Sequence, residues 1–324
     1  MLKPTLYPIK FTPILKEKIW GGQKLVQHFN KKGDGNIGES WEISSVKGDF
    51  SVVKNGKLKN KTLPELIQNY KAALVGKKVY DFFGNDFPLL FKFIDAKQDL
   101  SVQLHPNDAL AKKRHDSFGK TEMWYIMEAE KDARLILGFN KKMNEETYSK
   151  YLSENKITDI LNSEKTKTGD AFFISTGTVH AIGAGVVLAE IQQTSDITYR
   201  IYDWNRPGID GNLRELHTDL ALQAIDYNKS TAKLNYSEKE NESNLICKSN
   251  YFETNAVYIT NKIERDLSKI DSFVVYMCVN GEACVEVNGF SEIIIKGETI
   301  LIPAVFNTVN IKSNFAKLLE VYVP

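Results

Sequence analysis

The sequence is poor in cysteine and carries no excess of charge of either sign. Its 324 residues include three cysteines, Cys247, Cys278 and Cys284, an odd number at no metal-like spacing. A disulfide framework and a cysteine-ligated metal are thereby excluded, and a reduced, cytoplasmic chain is expected. Cys278 and Cys284 could approach across a hairpin, but apolar packing accounts for them. Lys and Arg number 42 against 41 Asp and Glu, a formal net charge of +1. Such a balance provides no field to draw in nucleic acid or an anionic membrane, although a local basic pocket for a small anion stays open. No apolar run approaches the ~20 residues of a membrane helix. The opening Met1-Leu-Lys-Pro-Thr-Leu-Tyr-Pro puts proline where a secretory signal needs its apolar centre, so no such signal is expected. Neither common glycine-rich phosphate loop occurs.

What is present is ordinary globular material, 42% hydrophobic and 26% charged, which excludes disorder over the whole chain. At ~100–200 residues per domain, two domains are expected. Segments 37–46, 89–94, 100–104, 123–127, 134–138, 171–175, 186–192 and 198–203 read as strands, as do several stretches after residue 250. They are short and punctuated by Gly, Asn and Asp, which predicts an antiparallel sandwich or barrel. Thr62-Leu-Pro-Glu65 begins a helix expected to reach about Leu74. Asn107 begins a shorter one, and Asn144 a third that runs to about Leu161 as an insertion between strands. The polar stretch 227–244 reads as a linker between domains. A weak repeat relates Gly169-Asp-Ala-Phe-Phe-Ile174 to Gly297-Glu-Thr-Ile-Leu-Ile302, as two barrels of one kind would produce. The first copy continues to His180, and the equivalent place in the second is Thr308.

Four segments could carry chemistry. In Ser101-Val-Gln-Leu-His-Pro, the strand period of two puts Ser101, Gln103 and His105 on one face. Gly119-Lys-Thr-Glu places Lys120 and Glu122 on a shared face. His180 sits in Gly177-Thr-Val-His, before a glycine-rich bend. Two imidazoles, a carboxylate and an amide oxygen could complete a divalent-metal site. As ordinary structure, the same residues would be a polar strand face, a surface acid and a turn. His28, His115 and His217 lie in polar contexts and receive no role. In 190–204, Glu190, Asp196 and Arg200 would share a face of a regular strand, with a bend expected near Ser195. They make either a structural Asp196–Arg200 salt bridge or a pocket for a charged substrate.

Taken together, Gln103-Leu-His105-Pro, Lys120-Thr-Glu122, Gly177-Thr-Val-His180-Ala and Glu190…Ser195-Asp196…Arg200 resemble the type I mannose-6-phosphate isomerases. Trp20-Gly-Gly and Gly38-Glu-Ser-Trp41-Glu-Ile-Ser add to the likeness, which covers nearly the whole chain and points to the short bacterial form. The resemblance implies a mainly β protein built of cupin (double-stranded β-helix jelly-roll) barrels. Residues 1–235 would be catalytic, with a helical insertion near 140–165, and 245–324 a degenerate second barrel. One zinc ion per chain would be held by Gln103, His105, Glu122 and His180. The implied reaction interconverts mannose 6-phosphate and fructose 6-phosphate, a small phosphorylated sugar being the only partner of a monomer or weak homodimer. Longer family members commonly have Lys-Pro-Glu where this chain has Lys120-Thr121-Glu122, and they carry a larger helical domain, here reduced to about 144–163.

Isomerisation moves a proton between C1 and C2 of an open-chain sugar. Arg200 could stabilise the enediolate. Lys120 is one candidate base, because a nearby metal ion and partial burial both favour its neutral form. Glu190 is another, and Asp196 suits ring opening or the orientation of its neighbours. For the substrate's phosphate the resemblance points to Ser101 and Lys92, with Trp20 as a further substrate contact. Lys92 is a single lysine in the apolar run Leu90-Phe-Lys-Phe-Ile, and a buried lysine needs an anion. Two other classes fit less of the pattern. A metal-dependent cupin oxygenase leaves Gln103 and the Lys120, Asp196 and Arg200 set without a task, and a non-catalytic bicupin would bind sugar or metal without turnover.

Overall fold

The structure, a computed structural model, describes residues 5–324; Met1–Pro4, half of the opening read for a signal, lie outside the described residues. Every pairing between its named strands is antiparallel, as expected. One sheet orders Lys233–Leu234, Ala171–Ile174, Glu122–Ala129, Val186–Gln193, Leu89–Ala96, Ile14–Gly22 and Ile37–Ile43. A second orders Leu161–Lys165, Arg134–Phe139, His180–Ile182, Val102–Leu104 and Tyr199–Tyr202. Apolar side chains of both, among them Ile94, Trp124, Leu135, Leu137, Ile182 and Leu188, pack into one core and close a first barrel.

The central strands of this barrel are buried on both faces, and residue parity decides which way each side chain looks. Phe91, Phe93, Met123, Tyr125, Ala189 and Ile191 enter an outer core shared with helices. Ile94, Trp124, Ile126 and Leu188 look inward. Lys92, Glu122 and Glu190 have the inward parity, so strand geometry alone carries three ionisable groups into the barrel.

A further sheet, ordered Ser243–Lys248, Glu253–Ile259, Ala316–Tyr322, Val274–Val287, Thr308–Lys312 and Lys262–Asp266, forms the second barrel. Phe290–Ile295 and Thr299–Ile302 pair with Val274–Val287. Its interior is apolar. The outer core continues from the first barrel onto Val275, Met277, Leu301, Leu319 and Val321 of the second. The chain's beginning takes part: Ile9 and Leu301 exchange both backbone hydrogen bonds at 2.8 Å. The two repeat segments occupy matching places. Gly169 (φ +90°) and Gly297 (φ +86°) each turn the chain into a buried strand, and His180 and Thr308 each begin the next one.

Three local expectations are corrected. The helix capped by Thr62 spans Leu63–Tyr70 with its capping box formed, and stops short of Leu74. Lys71 adopts φ +50°, and Ala72–Val75 and the unanticipated helix Lys77–Phe83 follow. The break admits the second barrel: Phe273 N–H donates to Val75 O at 3.2 Å, and a Cβ on Gly76 would lie 2.3 Å from Asp271 O. The insertion helix ends at Ser153, and a 3₁₀ turn leads into strand Leu161–Lys165. The stretch read as a linker contributes edge strand Lys233–Leu234, and Tyr236 Oη donates to Gly169 O at 2.6 Å. The helix after Asn107 forms as expected, with the Asn107 side chain capping Leu110 N–H at 2.9 Å. All three cysteines are free, and among the described residues no helix is long and apolar enough to cross a membrane.

Candidate active site

His105, Glu122 and His180 converge inside the first barrel, with one ligand atom from each lying within 4.8 Å of the others. Their backbones come from different places. His105 follows strand Val102–Leu104, Glu122 opens its strand, and His180 opens the strand that pairs with it through Gln103. Each imidazole is oriented from behind: His105 Nδ1 bonds Ile197 O at 2.8 Å and His180 Nδ1 bonds Thr178 O at 2.9 Å. A carbonyl only accepts, so both rings carry their proton on Nδ1 and turn the Nε2 lone pair toward Glu122. The Nε2 atoms lie 3.6 Å and 3.4 Å from the Glu122 oxygens.

Electrostatics suit a cation here. Burial holds His105 well below its ordinary value and lowers His180 to about 4, so both are neutral ligands at pH 7. Burial pushes Glu122 up to about 7, with Glu190 adding to the rise and Lys120 opposing it. Among the described residues, Glu122 Oε1 and His180 Nε2 have no hydrogen-bond partner, although both are fully buried, and Glu122 Oε2 meets only the Lys120 ammonium. Orphaned acceptors of this kind are costly unless a cation gathers them. The Lys120 ammonium approaches the group, 3.0 Å from Glu122 Oε2 and 3.1 Å from His105 Nε2. The donor set fits a divalent metal of the zinc type: two neutral imidazoles, one carboxylate, and Gln103 directly across the ladder from His180.

The cluster borders a cavity of about 340 Å³. Trp20, Lys92, Ser101, Gln103, Lys120, His180, Glu190, Asp196 and Arg200 all line it, so most of the expected site residues meet in one space. Glu122 and His105 complete the set in the wall behind. Two larger grooves, of about 890 and 570 Å³, lie elsewhere and contain no histidine, so chemistry rather than size identifies the site.

Two charge relations differ from expectation. Lys92 is not an unpaired cation, for its ammonium donates to Glu190 Oε1 at 2.9 Å. Trp124 Nε1 donates to the other Glu190 oxygen at 3.1 Å. Burial would raise Glu190, but Lys92 and Lys120 outweigh it and hold the carboxyl at about 2. Burial would likewise discharge Lys92, yet Glu190 and Glu39 keep it protonated. The anion that Lys92 required is therefore supplied by the protein. Nor do Asp196 and Arg200 form a salt bridge. The strand carrying Glu190 ends at Gln193, the chain bends through 194–198, and Arg200 belongs to the other sheet, where its Nη1 donates to Glu215 O at 2.9 Å. Burial, and then the charge of Arg214, lowers Arg200 from its ordinary value.

Sequence reasoning missed several lining residues: Lys16, Lys18, Glu39, Asp49 and Arg214. Glu39 stood inside a quoted motif without a role. Arg214 sits in an irregular segment, where no periodicity assigns it a face.

A model of the catalytic domain of type I phosphomannose isomerases matches residues 9–132, and one of the cupin domain of mannose-6-phosphate isomerases matches 241–323. The mannose-6-phosphate isomerase ManA of Bacillus subtilis (strain 168) is 41% identical over 223 residues, 68% of this chain and 69% of its own length. A mannose-6-phosphate isomerase of Streptococcus mutans serotype c is 36% identical over 227 residues, with coverage of 68% and 69%. The crystal structure of a mannose 6-phosphate isomerase from Bacillus subtilis matches with a TM-score of 0.89 at 30% identity, covering 98% of this chain and 99% of that one. The mainly β architecture is thus the cupin fold.

Proposed function

The chain belongs to the type I mannose-6-phosphate isomerases, and we propose that it interconverts mannose 6-phosphate and fructose 6-phosphate with one zinc ion per chain. Gln103, His105, Glu122 and His180 would hold the ion. Once bound, such an ion supplies positive charge and Lewis acidity beside the cavity. The observation that carries the proposal is the opening of the His105–Glu122–His180 cluster onto a cavity of matching charge. Six basic side chains and four acidic ones line that cavity, an excess of two positive charges. A phosphate monoester brings about −1.5 to −2 at neutral pH, and a sugar brings hydroxyls for the remaining polar groups.

Lys120 is the stronger candidate for moving the proton between C1 and C2. The rival, Glu190, is held in its charged form by Lys92 and Trp124 and is correspondingly weak as a base. Its fixed negative charge instead orients the cationic and hydroxyl groups around it. Asp196 is exposed at the cavity edge and suits ring opening, where a proton must exchange with water. Arg200 stabilises the enediolate by its permanent charge. Trp20 and Ser101 form walls that exclude water and position the chain of hydroxyls. The same reading divides the chain into a catalytic barrel, 1–235, and a second barrel, 245–324, in a cytoplasmic monomer or weak homodimer.

The test is fructose 6-phosphate formation from mannose 6-phosphate by untreated, chelated and zinc-restored protein. Activity lost on chelation and regained with zinc supports the assignment. No turnover by protein with confirmed bound zinc would refute it.

A further inference from the structure

Each basic side chain in the cavity has its own charge partner or lacks one, and the distribution is uneven. Lys16 pairs with Asp49, Lys18 with Glu39 at 3.6 Å, Lys92 with Glu190 at 2.9 Å and Lys120 with Glu122 at 3.0 Å. The arginines differ. Arg200 has no carboxylate partner among the described residues, and its buried Nε has no hydrogen-bond partner. Arg214 makes a two-point bond to the buried carboxylate of Asp203, Nε to Oδ2 and Nη2 to Oδ1, both at 2.6 Å. This leaves Arg214 Nη1 without a partner among the described residues. Asp203 also accepts from Arg206, Nη2 at 3.1 Å and Nε at 3.3 Å. One buried carboxylate therefore serves two guanidinium groups, and a third, Arg200, adds its charge to the same wall.

A wall with surplus positive charge and idle guanidinium donors is built to take an anion. We propose that Arg214 receives the substrate's phosphate, that Asp203 is the positioning residue that presents Arg214 in a fixed orientation, and that Arg200, kept for the enediolate, only adds its charge to the field of that wall. The proposal rests on the isomerase reading for its substrate, and it moves phosphate recognition from Lys92, whose charge Glu190 already meets, to the arginine wall. A guanidinium locked at two donors keeps its remaining edge directed with little loss of side-chain freedom, which suits the planar fork to phosphate oxygens.

The test uses zinc-loaded Arg214→Met, Arg214→Lys and Asp203→Asn proteins, with inorganic phosphate as the probe. In Arg214→Met, KM for mannose 6-phosphate and the inhibition constant of phosphate should both rise about 10- to 100-fold, the usual value of a charge-assisted hydrogen bond, while kcat changes far less. Arg214→Lys keeps the charge without the fork and should fall between. Asp203→Asn should weaken phosphate binding with Arg214 still in place. Phosphate binding unchanged in Arg214→Met, or a loss confined to kcat, would overturn the proposal. Calorimetry of phosphate binding separates this outcome from failure of the reaction assignment. Weakened phosphate binding in Arg214→Met, beside a wild-type protein that leaves mannose 6-phosphate untouched, would reject the isomerase reading and keep the anion wall. Should Arg214→Met fold poorly by its melting temperature, Arg214→Lys, which retains the pairing with Asp203, decides the question.

Discussion

In the first barrel Glu190 stands opposite Trp124 on the neighbouring strand and accepts its indole N–H at 3.1 Å. In the second, Glu320 stands opposite Tyr276 and accepts its hydroxyl at 2.7 Å. The segments Leu188-Ala189-Glu190-Ile191 and Leu318-Leu319-Glu320-Val321 occupy matching strands, so a buried carboxylate with an aromatic donor recurs in both halves. Around it the halves diverge. The cation for Glu190 is Lys92, its partner across the ladder, whereas Asn255 faces Glu320 and the cation comes from Arg265 on another strand. Two residues before the aromatic donor stands Glu122 in one barrel and Val274 in the other, and Thr308 takes the place of His180. Glu320 spends both oxygens on Ser243, Tyr276 and Arg265, whereas Glu122 meets the Lys120 ammonium with Oε2 and leaves Oε1 without a hydrogen bond among the described residues. A buried carboxylate with both oxygens engaged holds a barrel together, and one with an oxygen kept idle at a cost holds a place for something else.

The contrast is open to experiment. His180→Ala should weaken metal binding by more than about 100-fold and abolish turnover, while Thr308→His should add no second metal, because Val274 offers no carboxylate. Metal analysis of both proteins decides, and a second equivalent in Thr308→His would break the comparison. Glu320→Gln should cost about 3 kcal/mol in urea unfolding by leaving Arg265 without its counter-charge, with kcat/KM within about twofold of wild type. Lys92→Ala should act the other way round. It frees Glu190 from its depressed state and lowers kcat about tenfold or more, with KM and phosphate inhibition little changed, as steady-state kinetics would show. The smallest effect is on pH. Glu122 must be ionised to bind metal and is raised to about 7, so zinc affinity should climb about tenfold per unit as pH rises toward 7 and flatten above it, with proton release on binding. Titration calorimetry in buffers of different ionisation heat measures both.

Strand periodicity made much of this legible. Gln103 and His105 follow a period of two and a glycine turn marks His180, which made them candidates; only the resemblance to the isomerases joined them with Glu122 into one ligand set. What stayed hidden depends on contacts distant in sequence. The pairing of Lys92 with Glu190 joins residues 98 apart, and nothing local to Leu90-Phe-Lys-Phe-Ile announces it. The helix after Thr62 is broken at Lys71 and Gly76, where Asp271 and Phe273, nearly two hundred residues later, close in. The polar stretch 227–244 lacked a strand pattern because its edge strand is two residues long. Arg214 belongs to an irregular segment and is oriented by Asp203, eleven positions away, rather than by any period.

The exchange of hydrogen bonds between Ile9 and Leu301 has a consequence for biosynthesis. A ribosome adding ~5–20 residues per second delivers the two partners tens of seconds apart. Until Leu301 emerges, the backbone N–H and C=O of Ile9 lack the partners that the finished protein gives them. The first barrel thus completes its contacts only once the second has been made. A message truncated before Leu301, although it encodes His105, Glu122 and His180, would yield a chain that lacks this closing contact and is more open to proteolysis.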